Sequence, residues 1–179
     1  MLAVMDRATS LWHIPNVGRA KGRVIRRLID RHRPTRGLEI GSLLGYSAIL
    51  IAGSLPAGGR LTCIESNDYL AKFVRANVAE AGVASRVKVV VGDALRAIPL
   101  LSGRFDLVFI DARKEDYLDY LRQLESRLTP DALVIADNTG VFRKDVAPYL
   151  AYVRDPGGPW QSREYDFGDD CMEVSIRKA

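Results

Sequence analysis

The chain has 179 residues, of which 47% are hydrophobic and 27% charged, and it carries a formal net charge of +4. This size and balance are ordinary for one soluble globular domain with a substantial core. No apolar run approaches the length of a membrane span, no signal-peptide core opens the sequence, and two cysteines are too few for a disulfide framework. We therefore expect a cytoplasmic protein with no membrane partner.

Helical and strand patterns alternate along most of the chain. The first predicted helix, Ala20–His32, ends before Pro34, because the residue before a proline disfavours helical backbone. The predicted strands are Gly37–Ile40, Arg60–Ile64, Val87–Val91, Phe105–Ile110, Ala132–Ala136, Gln161–Asp166 and Met172–Arg177. The predicted helices between them are Tyr46–Ser54, Asp68–Ala81, Ala94–Leu101, Glu115–Leu128 and Val146–Val153. This alternation predicts an α/β fold in which helices cover both faces of a mostly parallel sheet, and the last two strands form an antiparallel hairpin.

Polar side chains follow two of the predicted strands at the point where each strand ends. Asp111 and Lys114 follow the fourth strand, and Asp137 and Asn138 follow the fifth. The carboxyl ends of the strands line the ligand crevice of an open α/β sheet. Two carboxylates and an amide are suitable ligands for a hard cation such as Mg²⁺, and a lysine beside it could act as a base. The alternative is that these side chains only cap the following helices.

A glycine-containing loop follows the first predicted strand. Gly41 and Gly45 allow a tight turn and a close approach of the backbone to a ligand. The further glycines of a dinucleotide fingerprint are missing, so NAD is not expected. Glu65, at the end of the second strand, can accept hydrogen bonds from both hydroxyls of a ribose, and Asp93 follows the third strand, where an adenine would lie. Together these features favour S-adenosylmethionine, although each glycine could serve the turn alone and each acid could be a helix cap.

The segment Arg19–Arg36 is strongly basic, with eight basic residues and one acid. Such a segment could contact RNA, an acidic lipid surface or an anionic substrate. The alternative is a solvated helix face, because Val24, Ile25, Leu28 and Ile29 give the same segment an apolar stripe at helical spacing.

The strand-end residues and the glycine loop together resemble the class I S-adenosylmethionine methyltransferases. More narrowly, the chain resembles the metal-dependent O-methyltransferases of the catechol O-methyltransferase type. The matching stretches are Asn16–Gly18 with Lys21 and Gly22, Glu39–Gly41 with Gly45–Ser47, Ile64 with Glu65, Phe109–Asp111 with Lys114 and Tyr117, and Ala136–Asn138. The resemblance implies a single Rossmann-like domain over residues 1–179, with a seven-stranded sheet and a helical cap formed by residues 1–33. It also implies Mg²⁺-dependent transfer of a methyl group from S-adenosylmethionine to a hydroxyl of a catechol or similar small molecule.

The resemblance further implies a role for each matching residue. Asp111, Asp137 and Asn138 match the metal ligands, and Lys114 matches the general base. Glu164 resembles the acid that contacts the second catechol hydroxyl. The residues expected around the cofactor are Asn16, Val17, Glu39, Gly41, Gly45, Tyr46, Ser47, Glu65, Asp93, Ala94 and Asp111.

Two departures from the family pattern concern the acceptor rather than the chemistry. Ala112 and Arg113 stand where animal members carry His-Trp, and His13 stands where the family has an aromatic gatekeeper. We therefore keep two alternatives. One is O-methylation of a hydroxylated base in transfer RNA, and the other is a non-catalytic module that binds S-adenosylmethionine.

Overall fold

One seven-stranded sheet organises the computed structural model, which describes residues 1–178. Its strands are β1 (Arg36–Ile40), β2 (Arg60–Glu65), β3 (Val87–Val91), β4 (Phe105–Ile110), β5 (Leu128–Ala136), β6 (Trp160–Asp166) and β7 (Cys171–Arg177). The spatial order is β3-β2-β1-β4-β5-β7-β6. The first five strands pair in parallel, and β7 runs antiparallel to both β5 and β6. The predicted fold class is confirmed, including the C-terminal hairpin.

Seven α-helices accompany this sheet in the described chain. They are α1 (Leu2–Trp12), α2 (Gly18–His32), α3 (Tyr46–Ser54), α4 (Asp68–Glu80), α5 (Ala94–Ala97), α6 (Tyr117–Leu124) and α7 (Ala147–Val153). The helix predicted from Glu115 is shorter than expected, because single 3₁₀ turns flank α6 on both sides. β5 begins four residues earlier than predicted and passes through Pro130. The strand tolerates this proline where its register with β4 shifts and Asp131 adopts a φ of 59°.

The central strands are buried on both faces, as expected for a parallel sheet between two helical layers. In β4, Val108 and Ile110 belong to the apolar cluster on one face, and Leu107 and Phe109 belong to the cluster on the other. This burial fixes where β1, β4 and β5 end, and therefore fixes the positions of the polar residues that follow them.

Helix α2 explains most of the basic segment. Ile25, Leu28 and Ile29 are buried on its inner face. The exposed basic residues of the helix, the turn after it and the start of β1 are Arg19, Arg23, Arg26, Arg27, Arg31, Arg33 and Arg36. Lys21 is the exception, since it is buried among acidic side chains. The pattern agrees with a solvated helix face, and an anionic partner for the arginines stays an untested alternative.

Two further expectations can be compared with the described residues. The two cysteines, Cys63 and Cys171, are both free and buried. Within residues 1–178 no helix has the length and apolar character needed to cross a bilayer.

Candidate active site

A cavity of about 620 Å³ opens at the carboxyl ends of β1, β4 and β5. Helix α1 and the segment before α2 contribute its outer wall, which includes Val4, Met5 and Ile14. The predicted site residues that line the cavity are Asn16, Val17, Gly41, Tyr46, Ser47, Asp111, Lys114, Asp137 and Asn138. The predicted site residues that do not line it are Glu39, Gly45, Glu65, Asp93, Ala94 and Glu164. The fold thus brings the predicted metal ligands, the predicted base and the predicted methionine-binding residues to one cavity.

Gly41 brings the end of β1 against the end of β4. Its φ is 85°, and a Cβ at this position would lie 2.2 Å from the carbonyl oxygen of Asp111. A side chain is therefore excluded by both backbone conformation and space. Gly45, with a φ of 86°, is the N-cap residue of α3 and leads into Tyr46 and Ser47.

Glu65 anchors the glycine loop to the end of β2. Its carboxylate accepts hydrogen bonds from the backbone N–H groups of Ser42 at 3.1 Å, Leu43 at 2.9 Å and Asn67 at 2.9 Å. A carboxylate offers about four acceptor positions, so these bonds leave capacity for a further donor. Binding of a ribose by Glu65 stays a prediction, and the structure adds a positioning role that the sequence did not indicate.

Two other acids in the predicted cofactor set, Glu39 and Asp93, lie outside the cavity lining. Glu39 is fully buried and accepts a hydrogen bond from the Ser42 hydroxyl at 2.7 Å. Burial raises the pKa of the Glu39 carboxyl, against the opposing effect of that hydrogen bond. Asp93 is exposed and caps α5 by accepting from the backbone N–H of Arg96, while Ala94 is buried. Neither acid reaches the cavity, so any contact with a cofactor lies beyond its walls.

Lys114 connects the ends of β4 and β5. Its Nζ donates to Asp111 Oδ1 at 2.7 Å and to Asn138 Oδ1 at 2.9 Å. It also donates to the hydroxyl oxygen of Tyr117 at 2.8 Å. Tyr117 is fully buried, and its hydroxyl donates to the carbonyl oxygen of Asp137 at 3.0 Å. Tyr117 therefore holds the lysine at the cavity edge, a role that the sequence did not indicate.

Lys21 and Asp170 complete the charged surroundings of Asp137, and neither was assigned a role from the sequence. Lys21 Nζ lies 2.5 Å from Asp137 Oδ1 and 2.6 Å from Asp170 Oδ2. Burial opposes the charge on Lys21, but the two carboxylates outweigh it and raise the pKa of its amine. The sequence signal that could have identified Lys21 is its spacing, because Lys21 lies on the same buried stripe of α2 as Ile25 and Leu28.

Few side chains at the cavity could coordinate a metal ion. Within residues 1–178 no group of three or more His, Cys, Asp and Glu side chains is placed to hold a metal ion. The predicted set has only two carboxylates, Asp111 and Asp137, and takes its third oxygen from the amide of Asn138. Burial and the charge of Asp111 raise the pKa of Asp137 to about 6, although Lys21 opposes this change.

Glu164 lies on β6, and its side chain contacts residues that do not line the cavity. Its Oε2 accepts from Arg143 Nη2 at 2.6 Å and from Arg154 Nη2 at 2.7 Å. These hydrogen bonds, with that from Arg154 the stronger, lower the pKa of the Glu164 carboxyl. The structure does not bring Glu164 to the cavity, and its contact with an acceptor stays a prediction without geometric support.

Phe142 is an aromatic side chain at the cavity mouth. It is 40% exposed, lines the cavity, and its ring centre lies 5.5 Å from Lys114 Nζ. Trp12 and His13, near the expected gatekeeper position, are exposed. The cavity lining therefore includes an aromatic surface beside Lys114.

Comparison with known proteins places these features in a family. Residues 2–149 match the family model described as O-methyltransferase. The chain is 35% identical over 173 residues to catechol O-methyltransferase B of Danio rerio, covering 90% of this chain and 65% of that protein. It is 39% identical over 123 residues to catechol O-methyltransferase of Mycobacterium tuberculosis, covering 68% of this chain and 56% of that protein. The chain thus spans roughly half to two thirds of these relatives.

A solved O-methyltransferase structure has the same fold. The O-methyltransferase TomG from Streptomyces achromogenes, solved in complex with S-adenosylmethionine, superposes with a TM-score of 0.79 at 28% identity. The superposition covers 99% of this chain and 89% of TomG.

Proposed function

Because the chain belongs to the O-methyltransferase family, we propose that it transfers a methyl group from S-adenosylmethionine to a hydroxyl of a catechol or similar vicinal-oxygen molecule, in a reaction that depends on Mg²⁺. The observation that carries this proposal is the meeting of Asp111, Lys114, Asp137 and Asn138 on one wall of a cavity. The methionine-binding residues expected from the family line the same cavity, so a donor and an acceptor bound there would lie side by side.

The residues present fit a hard cation. Asp111, Asp137 and Asn138 supply oxygen atoms, the ligands that Mg²⁺ prefers. Asp137 Oδ1 is engaged by Lys21 Nζ and by the backbone N–H of Asn138, at 2.5 and 2.8 Å. Among the described residues no hydrogen bond engages Asp137 Oδ2, so this oxygen is available to a ligand in the cavity.

The bound groups would supply an electrophilic methyl carbon and a positive charge that acidifies and orients two adjacent acceptor hydroxyls. Asp111, Asp137 and Asn138 would hold the cation, and the backbone around Asn16 and Val17 would hold the methionine part of the donor. Lys114 Nζ would accept the proton of the attacking hydroxyl. Tyr117 supports this transfer because its hydroxyl fixes Nζ at 2.8 Å.

The acceptor is expected to be a small planar molecule. Phe142 provides an aromatic surface beside Lys114, and such surfaces favour flat rings. The RNA alternative is supported by the exposed arginines of α2, since a basic face binds phosphate. The two acceptors call for different tests, because only RNA binding should weaken steeply with salt.

The test is transfer of labelled methyl from S-adenosylmethionine to catechol, to phenol and to bulk transfer RNA. We expect methylated catechol and at least tenfold less product from phenol, which lacks the second hydroxyl. Label in transfer RNA with none in catechol would show that RNA, rather than a catechol, is the acceptor. Binding of S-adenosylmethionine without transfer to any of the three would favour the non-catalytic module.

A further inference from the structure

The amide of Asn138 has a different partner at each end. On the cavity side its Oδ1 accepts from Lys114 Nζ at 2.9 Å. On the opposite side its Nδ2 donates to Asp170 Oδ2 at 2.8 Å. A half-turn of the amide would exchange the two ends and present an NH₂ group to the cavity, and an NH₂ group cannot bind a cation. The orientation of this amide therefore decides whether Asn138 can be a ligand.

Asp170 accepts hydrogen bonds from every neighbour that contacts its carboxylate. Besides Asn138, Lys21 Nζ donates to Oδ2 at 2.6 Å. The backbone N–H groups of Val141 and Gly140 donate to Oδ1 at 3.0 and 3.2 Å. An ionised carboxylate has about four acceptor positions and no donor. An asparagine oxygen turned toward Asp170 would therefore meet negative charge and lose its hydrogen bond.

We propose that Asp170 is a positioning residue that holds the Asn138 amide with its oxygen toward Asp111 and Asp137. This inference rests on the proposed function, because the orientation matters only if Asn138 binds a cation. Asp170 lies in the β6–β7 hairpin and does not line the cavity. It acts through Asn138 and through the turn at residues 140–141.

The substitution Asp170→Asn tests the orientation with little change of shape. An asparagine at 170 must direct an NH₂ group either at the backbone N–H groups of 140 and 141 or at the side chains of Asn138 and Lys21. The backbone donors cannot rotate, whereas the Lys21 ammonium keeps Asp137 as an acceptor and can turn away. Asn138 is therefore expected to flip and give its oxygen to residue 170. We expect binding of Mn²⁺, measured by electron paramagnetic resonance, to weaken roughly 10–100-fold, as for other residues that orient metal ligands. The affinity for S-adenosylmethionine without metal should change less than twofold.

A reciprocal exchange separates orientation from general loss of structure. In the double variant Asn138→Asp/Asp170→Asn, an amide at 170 can donate to a carboxylate at 138, which keeps an oxygen toward the cavity. Mn²⁺ affinity should return to within about threefold of wild type. Asp170→Asn/Val141→Asp restores the charge at an exposed neighbouring position but not the hydrogen bond, so its Mn²⁺ affinity should stay low. Asp166→Asn removes a carboxylate elsewhere on the hairpin and should bind Mn²⁺ like wild type.

Three results would overturn the inference. Equal Mn²⁺ affinity of Asp170→Asn and wild type would show that Asp170 does not orient the ligand. A double variant as weak as Asp170→Asn would show that Asp170 acts otherwise than through the amide. A wild-type protein that binds S-adenosylmethionine but no Mn²⁺ would remove the metal site of the proposed function, and this inference with it.

Discussion

Two charged clusters beside β5 and β7 differ in the cations that neutralise their carboxylates. The cavity cluster consists of Lys21, Asp111, Lys114, Asp137 and Asp170, and the hairpin cluster consists of Arg143, Arg154, Glu164 and Glu173. In the hairpin cluster Arg154 binds the buried Glu173 through Nε at 2.9 Å and Nη2 at 2.5 Å. A planar guanidinium binds both oxygens of a carboxylate at once, which leaves little acceptor capacity for other partners.

The cavity cluster uses lysines instead. Each ammonium is a compact charge that contacts oxygens from different elements, as Lys114 does with Asp111 and Asn138. Three carboxylates face two ammonium groups, so acceptor capacity and negative charge remain on the cavity side. We infer from this difference that the paired arginines stabilise the fold, whereas the lysines leave carboxylate oxygens available for binding.

The largest expected effect is at Lys114. Lys114→Ala should lower the rate of methyl transfer by ~10²–10⁴-fold, the usual contribution of a general base. Binding of S-adenosylmethionine should change little, because among the described residues Nζ donates its hydrogen bonds to Asp111, Tyr117 and Asn138. Single-turnover transfer measured with calorimetric binding tests both statements. Lys114→Arg is the control and should not restore the rate, since a guanidinium stays protonated. A Lys114→Ala rate within threefold of wild type would exclude this lysine as the base.

The hairpin cluster should show the opposite behaviour. Arg154→Met leaves Glu173 buried without its ion pair, and breaking a buried pair in this way costs roughly 3–5 kcal/mol of unfolding free energy. Urea unfolding would measure the loss, and the rate per folded molecule should stay close to wild type. A large fall in that rate, with stability unchanged, would contradict the division of roles between the two clusters.

These predictions also show how far the sequence specifies the site. Asp111, Lys114, Asp137 and Asn138 were predictable because each follows a buried strand, and strand ends meet at one edge of a parallel sheet. Lys21 and Asp170 were not predictable, because each contacts a site residue that is more than thirty positions away in the sequence. Lys21 on α2 contacts Asp137, and Asp170 in the hairpin contacts Asn138. The fold class followed from alternating patterns, whereas the early start of β5 depended on pairing with β4 across an irregularity.

Glu65 combines a structural role with a proposed binding role. Its carboxylate holds the glycine loop through three backbone N–H groups and would also hold the ribose. Glu65→Ala should weaken S-adenosylmethionine binding at least ~10-fold, since hydrogen bonds to a charged group are worth roughly 1.5–3 kcal/mol each. Calorimetry would measure the affinity, and circular dichroism would check that the variant folds. Unchanged affinity would refute the ribose assignment.

The smallest expected effect is at Glu164. Its arginine partners lower its pKa below the ordinary 4.5, so its ion pairs stabilise the protein above that pH and are lost as pH falls through the lowered value. Because the side chain is 32% exposed, Glu164→Gln should cost only about 0.2–1 kcal/mol at pH 7. Urea unfolding at pH 7 and at progressively lower pH should show this difference shrinking toward zero. If the difference in unfolding free energy between wild type and Glu164→Gln grew on acidification, the ion pairs of Glu164 would not be its cause.

The central claim is that Asp111, Asp137 and Asn138 bind the cation on which methyl transfer depends. The most direct measurement is transfer of labelled methyl to catechol in EDTA, followed by titration with Mg²⁺, for wild type and Asp137→Ala. We predict no transfer in EDTA, a saturable return of wild-type activity with Mg²⁺, and little or no return for Asp137→Ala at the same concentrations. Full wild-type transfer in EDTA, or equal Mg²⁺ dependence of the two proteins, would contradict the account.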